Sequence, residues 1–393
     1  MLRGRPTTIG IVAAALAALS CAAVWPAFSE PVVWTPDALY YEARVLELRG
    51  ADHDEAIAET FGGPLSAELR SRDPGQTGDP EWVAYNEPFY ERRLAVPLAG
   101  AALYPVWHER SLLYISLAGY VASILALFAL LLVRFRAAIA AVVAGAAALL
   151  PPLVNHSSYP LTDSWGLALE IVALTAGILA LRRGLHWLPL WIGAVAVLAF
   201  TRDSTWIPVL AAGFCAVRYR SRVPVTLFAT GLAAVLPAVL LFSVPVRDLL
   251  ALLVNDSELP ADSSWSFIAG HYPGALVELV RANVGFLRRG EWYTALYLVG
   301  GVAVLLLLFW RRREARTQEA TLICAAAVLG LGYVLAAPVF SAFRLELVFL
   351  PMAAWGLALL GQLAVEKARQ PRAAGRHRAW PRLFDPRRMD RPA

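Results

Sequence analysis

Charge, cysteine and lysine are all scarce in this sequence. Charged residues make up 17% of its 393 residues and hydrophobic residues 58%, whereas a soluble domain carries about 25% charged residues. This composition excludes an ordinary soluble globular protein. The apolar residues are gathered into repeated runs close to the length that crosses a bilayer. We therefore expect an all-α, polytopic membrane protein with one membrane domain over residues 1–366.

The scarce residues also limit the chemistry. Cys21, Cys215 and Cys324 lie inside apolar runs, so they offer neither a disulfide framework nor a cysteine-based metal site. Lysine occurs once, at Lys367, and arginine carries the rest of the positive charge. The net charge of +5 has the sign that nucleic acid attracts, but the arginines flank the apolar runs. We therefore predict no nucleic-acid partner.

Ten apolar segments are predicted to span the membrane as helices. About 20 residues are needed to cross about 30 Å of hydrocarbon, and two of the segments, 187–200 and 205–217, are shorter. A further apolar run, 94–107, is ambiguous. It either spans the membrane or does not span it, being re-entrant or lying along the surface. We favour the arrangement in which it does not span. The ten segments are residues 8–28, 111–133, 137–153, 165–181, 187–200, 205–217, 224–245, 294–310, 321–339 and 345–365.

The basic residues lie mostly on one side of these ten spans. Arginines that flank spans are retained on the cytoplasmic side. With both termini inside, the inner segments hold 22 basic and 5 acidic residues, and the outer segments hold 13 basic and 24 acidic residues. This favours a multi-pass protein of the cytoplasmic (plasma) membrane with both termini cytoplasmic. The alternative for residues 1–28 is a cleaved signal peptide, since Arg3 and Arg5 precede the apolar run.

The ends of the chain and the two long outer segments complete the layout. The tail 367–393 is basic and contains several prolines, so we expect a disordered cytoplasmic segment that contacts anionic lipid. The outer segment 29–93 contains 14 acidic and 6 basic residues. The outer segment 246–293 carries apolar residues at helical spacing within 273–289, which predicts a juxtamembrane helix lying on the membrane.

The first outer segment begins with a predicted helix. Thr35 can cap this helix, and its first turn would hold Pro36 and Asp37. Asp37 is either a general base beside substrate-binding groups or a helix-starting acid that offsets the helix dipole. One face of the helix carries a carboxylate, two phenols and a guanidinium, at Asp37, Tyr40, Tyr41 and Arg44.

Other polar residues recur at the predicted outer ends of the spans. Asp163 and Asp203 precede helices and can act as N-caps, while Arg344 can snorkel toward the interface. All of them lie at one depth, opposite the basic inner surface, which favours a shared site. Glu170 lies about 10 Å beyond Asp163 on the same helix face. A carboxylate in hydrocarbon is costly, so Glu170 serves either a proton relay or a packing contact.

Three short motifs resemble the GT-C superfamily of polytopic glycosyltransferases, which use polyprenyl-phosphate sugars as donors. The layout is also similar to that of actinobacterial integral membrane proteins of this type, and the resemblance covers the topology and the first half of the chain. Many members carry a second acid where this chain has Ala38. The motifs are Trp34-Thr-Pro-Asp37-Ala-Leu-Tyr40-Tyr41, Phe89-Tyr90-Glu91-Arg92-Arg93-Leu-Ala-Val-Pro97 and Tyr159-Pro-Leu-Thr-Asp163.

The resemblance implies that Asp37 is the catalytic base and that Asp163 is the second acid of the site. In an inverting transfer the base takes the proton of the acceptor hydroxyl while cations stabilise the leaving phosphate. Arginine suits this second role because a guanidinium binds phosphate oxygens in bidentate fashion. The predicted substrate-binding residues are Tyr40, Tyr41, Arg92, Arg93, Asp163, Arg202, Asp203, His271 and Arg344.

We therefore predict a membrane glycosyltransferase whose partners are a polyprenyl-phosphate-linked sugar and membrane lipid. No cofactor and no metal ligand is assigned, and the use of a divalent cation is left open. One alternative is a transporter or lipid flippase, in which Asp163 and Glu170 would work near the midplane, although the sequence shows no convincing internal repeat. The other alternative is a non-catalytic membrane scaffold that presents an acidic outer loop.

Overall fold

Helices make up most of the described chain, and no strand occurs in it. The computed structural model describes residues 6–72, 74–242, 245–255, 258–311, 317–339 and 341–369. The predictions that used Arg3, Arg5, residues 312–316 and the tail beyond 369 therefore lie outside the described residues.

Short turns separate the helices, and several of these turns are themselves 3₁₀ or π segments. In chain order the α-helices are α1 (Pro6–Ala23), α2 (Trp25–Ser29), α3 (Pro36–Leu48), α4 (His53–Gly62), α5 (Ala67–Arg72), α6 (Pro74–Thr77), α7 (Pro80–Asn86), α8 (Ala95–Trp107), α9 (Ser111–Leu132), α10 (Ala137–Ala148), α11 (Pro151–Ser157), α12 (Asp163–Arg183), α13 (Leu188–Ala199), α14 (Trp206–Tyr219), α15 (Arg222–Leu241), α16 (Val246–Val254), α17 (Trp265–Phe286), α18 (Trp292–Ala295), α19 (Gly301–Arg311), α20 (Gln318–Ala336) and α21 (Leu350–Arg369). The 3₁₀ segments are Glu87–Phe89, His108–Arg110, Leu185–Trp187, Asp203–Thr205 and Leu345–Phe349, and the π segments are Leu287–Glu291 and Leu296–Gly300.

The long apolar helices confirm a polytopic helical membrane protein. Among the residues described, 7 helices are long and apolar enough to cross a membrane, and α10 with α11, bent by 60°, makes an eighth if the pair is one span. Two of the ten predicted spans fall outside this count. They are α13, with 12 residues, and α14, with 14 residues, and at 1.5 Å per residue they reach only about 18 and 21 Å.

The ambiguous run 94–107 forms α8, which folds back against α9. His108 has a φ of 48°, and this left-handed residue reverses the chain between the two helices. Gly100 on α8 then lies against Leu112 on α9, where an added β-carbon would come within 2.8 Å of the leucine side chain. The run is therefore a separate helix packed beside α9 and does not continue it.

The segment 246–293, which was predicted to lie outside, continues directly into the helix that follows it. The predicted juxtamembrane helix is α17, whose valines at 277, 280 and 284 are exposed. Helical structure continues from Trp265 to Arg311, with a kink at Gly290, where φ is 114°. Glycine tolerates this conformation without steric cost. The kink separates α17 from the apolar helix that was predicted to begin near residue 294.

The short helices α3 to α7 pack together, and we call this group the cap. Thr35 accepts a hydrogen bond from the backbone N–H of Ala38 (3.3 Å), so it caps α3 as predicted, and Pro36 occupies the first turn. The buried face of α3 packs on α4 and α8. Its aromatic core fixes the start of α3, and it includes Trp34, Tyr40, Tyr41, Phe61 and Trp82.

Hydroxyl groups and a glycine fix the start of α12 against α9. Ser164 donates to the carbonyl of Ser116 (2.7 Å), and Ser123 donates to the carbonyl of Ser164 (2.8 Å). At Gly119 an added β-carbon would lie 2.8 Å from the backbone nitrogen of Trp165, so only glycine allows this approach. Small residues and hydroxyls are the usual means of close helix packing in membranes. They hold Asp163, the first residue of α12, in a defined position.

Candidate functional site

A cavity of about 890 Å³ lies between the cap and the ends of the long helices. Its walls come from the start of α3, the loop before α8, the turns before α12 and α14, and helices α16 and α20. One part of the lining is charged and the rest is apolar. The charged lining contains Asp37, Arg92, Arg93, Arg202, Asp203 and Arg344, and the apolar lining includes Ile207, Leu210, Val246, Leu249, Leu253 and Leu329.

Arg344 joins the two acids that the sequence analysis placed at the centre of the site. Its Nη1 lies 2.6 Å from Oδ2 of Asp37. Its Nε and Nη2 donate to the two carboxylate oxygens of Asp163, at 2.8 and 2.9 Å. Arg202 forms a second ion pair with Asp163. One guanidinium therefore bridges acids that are far apart in the sequence, with bidentate geometry toward Asp163.

Asp37 is held ionised at the edge of the cavity. Tyr90 donates to its Oδ1 at 2.6 Å, and Arg344 pairs with its Oδ2. Burial by itself would raise the pKa of the Asp37 carboxyl, but Arg344, the Tyr90 hydrogen bond and Arg93 outweigh it and hold the pKa below its usual value. Each carboxylate oxygen has two lone-pair sites, so both oxygens keep one site for a further donor.

Arg92 and Arg93 form a second group of charges around Asp203. Arg92 pairs with Asp203, and Nη2 of Arg93 lies 3.3 Å from the other carboxylate oxygen. Arg93 also donates to the Tyr41 hydroxyl at 2.7 Å, which lies 3.3 Å from the Thr162 hydroxyl. Within the described chain, the buried Nε atoms of both arginines have no hydrogen-bond partner.

The first group of charges is Asp37, Asp163, Arg202 and Arg344, and the second is Arg92, Arg93 and Asp203. Their charges do not cancel. Arg92, Arg93, Arg202 and Arg344 face three aspartates, which leaves an excess of one positive charge among these residues. The excess is partly shielded from water, since Arg92 and Arg202 are each 7% exposed. Electrostatic attraction is stronger in such an environment than in bulk water. The site is therefore suited to an anion.

The turn that carries Arg344 is strained. Ala342 and Phe343 both adopt left-handed conformations, with φ of 49° and 65°. Neither is glycine, so each residue costs about 1–2 kcal/mol relative to an ordinary conformation. Residues in such conformations are held by their surroundings and are frequent at functional sites. The strained backbone therefore favours a functional role for the turn, which positions the Arg344 side chain.

The structure brings most of the predicted site residues together. Asp163 and Asp203 do not act as simple helix caps, because their carboxylates pair with arginines. Arg344 pairs with two acids, so it does not extend toward the membrane interface, which was the alternative interpretation. Tyr40 lies behind the site, where it donates to the carbonyl of Val83 (3.2 Å). The residues in the two charged groups are Asp37, Tyr41, Arg92, Arg93, Asp163, Arg202, Asp203 and Arg344.

His271, like Tyr40, lies outside the two charged groups. It is exposed on α17, its ring stacks on Phe267 with centroids 4.0 Å apart, and Nδ1 lies 2.9 Å from the Phe267 carbonyl oxygen. It does not line the cavity. The prediction grouped it with the outer segment 246–293, but on α17 the side chain lies outside the cavity lining.

Sequence reasoning did not select three other residues of the site. Tyr90 donates to Asp37, Thr162 contacts Tyr41, and His156 lines the cavity, with Nε2 3.4 Å from the carbonyl oxygen of Ala342. Tyr90 and Thr162 lie inside two of the quoted motifs, which was the available signal. Their partners are distant in sequence, so the motifs did not show what they contact.

A possible metal-ligand group lies elsewhere in the cap. In the part of the chain that the structure describes, one set of ligand atoms, from Glu47, His53 and Glu87, lies within 4.8 Å of one another. Glu47 is ten residues beyond Asp37 on α3, about 15 Å away along the helix. The carboxylates of the cavity are instead paired with arginines, so arginine neutralises the negative charge at the site.

Glu42 is a buried acid in the cap and predicts a pH dependence of stability. Burial, with Glu109 and Glu59 adding to it, raises the pKa of Glu42 from 4.5 to about 8. Above pH 4.5 the unfolded chain releases this proton, while the folded protein keeps it up to pH 8. The free energy of unfolding therefore falls as the pH rises between these values.

We expect Glu42→Gln to remove this dependence, because glutamine stays neutral. The variant should be more stable than the wild type at pH 8, by roughly 1 kcal/mol or more, and closer to it at pH 5. Thermal unfolding in detergent at the two pH values measures the effect, and Glu55→Gln, at an exposed site on α4, is the matched control. A wild-type pH dependence in Glu42→Gln would contradict the assignment.

The chain matches no protein-family model and no curated protein. Its class as a multi-pass helical membrane protein rests on its long apolar helices. The chemistry of its site rests on the ion pairs around Asp37, Asp163 and Asp203 and on the cavity lined by Asp37 and Asp203.

Proposed function

We propose that this protein is a membrane glycosyltransferase of the GT-C type, which moves a sugar from a polyprenyl-phosphate donor to an acceptor at the outer face of the plasma membrane. In this proposal both termini are cytoplasmic and the cavity opens to the outside. One observation carries the proposal: a single cavity joins a cationic centre containing an ionised carboxylate to an apolar wall.

The two parts of the cavity match the two parts of a lipid phosphate. The apolar wall comes from α14, α16 and α20, and Trp206 and Leu210 on α14 are 37% and 40% exposed. An isoprenoid chain can lie along this wall with its phosphate at the arginines. A water-soluble substrate would not need an apolar wall of this extent. The shape of the cavity thus favours an amphiphilic donor.

Asp37 is the proposed general base. The acceptor hydroxyl donates its proton to Asp37 while its oxygen bonds to the anomeric carbon of the sugar. The bond between that carbon and the phosphate oxygen breaks, and its electron pair leaves with the lipid phosphate. Attack from the face opposite the leaving group inverts the anomeric configuration. Because its pKa is held low, Asp37 is ionised at neutral pH, which is the form that a general base needs.

The arginines are the proposed stabilisers of the leaving phosphate. The phosphate gains negative charge as the bond breaks, and guanidinium groups already in place lower the energy of this state. Arg92, Arg93 and Arg202 all line the cavity. Arg344 lies between Asp37 and Asp163, where it holds the base in position.

A deletion strain tests the proposal directly. Without the protein, we expect loss of one envelope glycan and accumulation of the polyprenyl-phosphate sugar that supplies it, measured by mass spectrometry of lipid and glycan extracts. Complementation with the wild-type gene should restore both. Unchanged glycans together with an unchanged lipid pool would refute the proposed function.

The apolar wall gives a separate prediction. Leu210→Trp should weaken binding of a long-chain polyprenyl phosphate about tenfold, equivalent to about 1.4 kcal/mol, because the larger ring fills the space of the lipid chain. Binding to the purified protein in detergent is measured by intrinsic fluorescence. Phe214→Trp, on the same helix but outside the cavity, is the control, and equal weakening in both variants would argue against a lipid groove here.

A lipid flippase or other transporter is the second candidate function, and Glu170 is the observation that favours it. Glu170 is 1% exposed within α12, and its polar neighbours are Ser204 and Arg202. An ionisable residue inside a span is a common feature of transport pathways. Transport of lipid in vesicles that is lost in Glu170→Gln and kept in Asp37→Asn would favour this function over glycosyl transfer.

A further inference from the structure

A buried acid, Glu346, is hydrogen-bonded to the strained turn Ser341–Arg344. Glu346 is 7% exposed, and its Oε2 accepts from the Ser341 hydroxyl at 3.4 Å. The Ser341 hydroxyl in turn accepts from the backbone N–H of Leu345 at 3.1 Å. The backbone N–H of Arg344 donates to the carbonyl of Ser341 at 3.0 Å. These hydrogen bonds close the turn from both sides of Arg344.

Glu346 also ties this turn to α17. Its Oε1 accepts from the side-chain amide of Asn283 at 3.1 Å. One turn further along α17, the ring of Phe286 lies 5.5 Å from that of Phe343, which is one of the two left-handed residues. The turn is thus held by a carboxylate and an aromatic contact that both reach to α17, and Glu346 itself does not line the cavity.

We propose that Glu346 is a positioning residue: it holds the Ser341–Arg344 turn in its strained conformation, anchored on Asn283 of α17, so that Arg344 reaches Asp37 and Asp163. The catalytic consequence rests on the proposed function, whereas the coupling between Glu346 and Arg344 does not. Without the carboxylate, the turn relaxes toward ordinary backbone angles and Arg344 moves away from Asp37. Small displacements of positioned groups are costly to catalysis.

A double-mutant cycle of Glu346→Gln and Arg344→Gln tests the proposal. Alone, Glu346→Gln should lower sugar transfer roughly 10- to 100-fold. In the Arg344→Gln background it should lower transfer no further, because its effect passes through Arg344. The acidic limb of the pH profile should move to higher pH in Glu346→Gln, since Asp37 loses its cationic neighbour. A purely structural defect would reduce the amount of active protein without moving this limb.

Two further measurements complete the test. Glu278→Gln is the matched control, because Glu278 lies on α17 but its side chain is 66% exposed, and its transfer activity and pH profile should match those of the wild type. The cycle is also run on thermal unfolding in detergent, which needs no substrate. There the loss of melting temperature in the double variant should be smaller than the sum of the two single losses.

The outcomes separate the two proposals. If the wild type transfers no sugar but the unfolding cycle shows coupling, the proposed function fails and the role of Glu346 stands. If Glu346→Gln lowers transfer by the same factor in both backgrounds, or if the melting-temperature losses simply add, Glu346 does not act through Arg344 and the inference is overturned.

Discussion

Asp37→Asn is expected to lower sugar transfer by about 10²- to 10⁴-fold, the usual contribution of a positioned general base. Asparagine keeps the shape of the side chain but cannot take the proton of the acceptor hydroxyl. The protein should still fold, because Arg344 keeps its two hydrogen bonds to Asp163. Transfer from a polyprenyl-phosphate sugar by the purified protein measures the loss, and size-exclusion chromatography checks the fold.

The matched control for this prediction is Asp54→Asn. Asp54 is an exposed aspartate in the first turn of α4, so it tests the same substitution in the same cap, away from the cavity. Its transfer activity should stay at the wild-type level. Full activity in Asp37→Asn would show that Asp37 is not the base, and the proposed mechanism would then be wrong.

Asp163→Ala is expected to cost about 3–5 kcal/mol of stability, the range seen when one partner of a buried ion pair is removed. Asp163 is 4% exposed and pairs with both Arg202 and Arg344. Without it, two guanidinium groups face each other with no carboxylate between them. A large fall in the melting temperature of the purified protein in detergent measures this effect.

Asp248→Ala provides the comparison. Asp248 pairs with Arg247 at 3.8 Å, and both side chains are partly exposed, so the loss should stay within about 0.5 kcal/mol. If Asp163→Ala melted as the control does, the Asp163 ion pairs would not hold α12, α14 and the Arg344 turn together. The cost should also shrink when Arg344→Gln is added, because one uncompensated charge is then removed.

The membrane helices and the capped start of α3 could be predicted from the local sequence. The long apolar runs predicted membrane helices, because hydrophobicity over about 20 residues is itself the physical requirement for spanning a bilayer. The sequence Thr35-Pro36-Asp37 predicted a capped helix start, and Thr35 does cap α3. The number of spans was harder to judge, because α13 and α14 are apolar but too short to cross the hydrocarbon alone.

The pairing within the site depended on the tertiary structure. The sequence indicated which acids and arginines lie near the ends of helices, but Asp163 and Arg344 are 181 positions apart, and no local pattern records such a contact. Three other features also depend on contacts between distant parts of the chain. Tyr90 donates to Asp37, His271 lies outside the cavity lining, and Glu346 is hydrogen-bonded to the Ser341–Arg344 turn.

The sequence by itself thus determined that this is a helical membrane protein, because hydrophobic length is a property of short segments, and it indicated that acids and arginines lie near the ends of the helices. Only the tertiary structure decided which of those charges meet, and that they border an apolar wall. These features depend on how α3, α12, α14 and the Arg344 turn pack. That packing is a property of the whole fold, set by contacts between residues far apart in the chain.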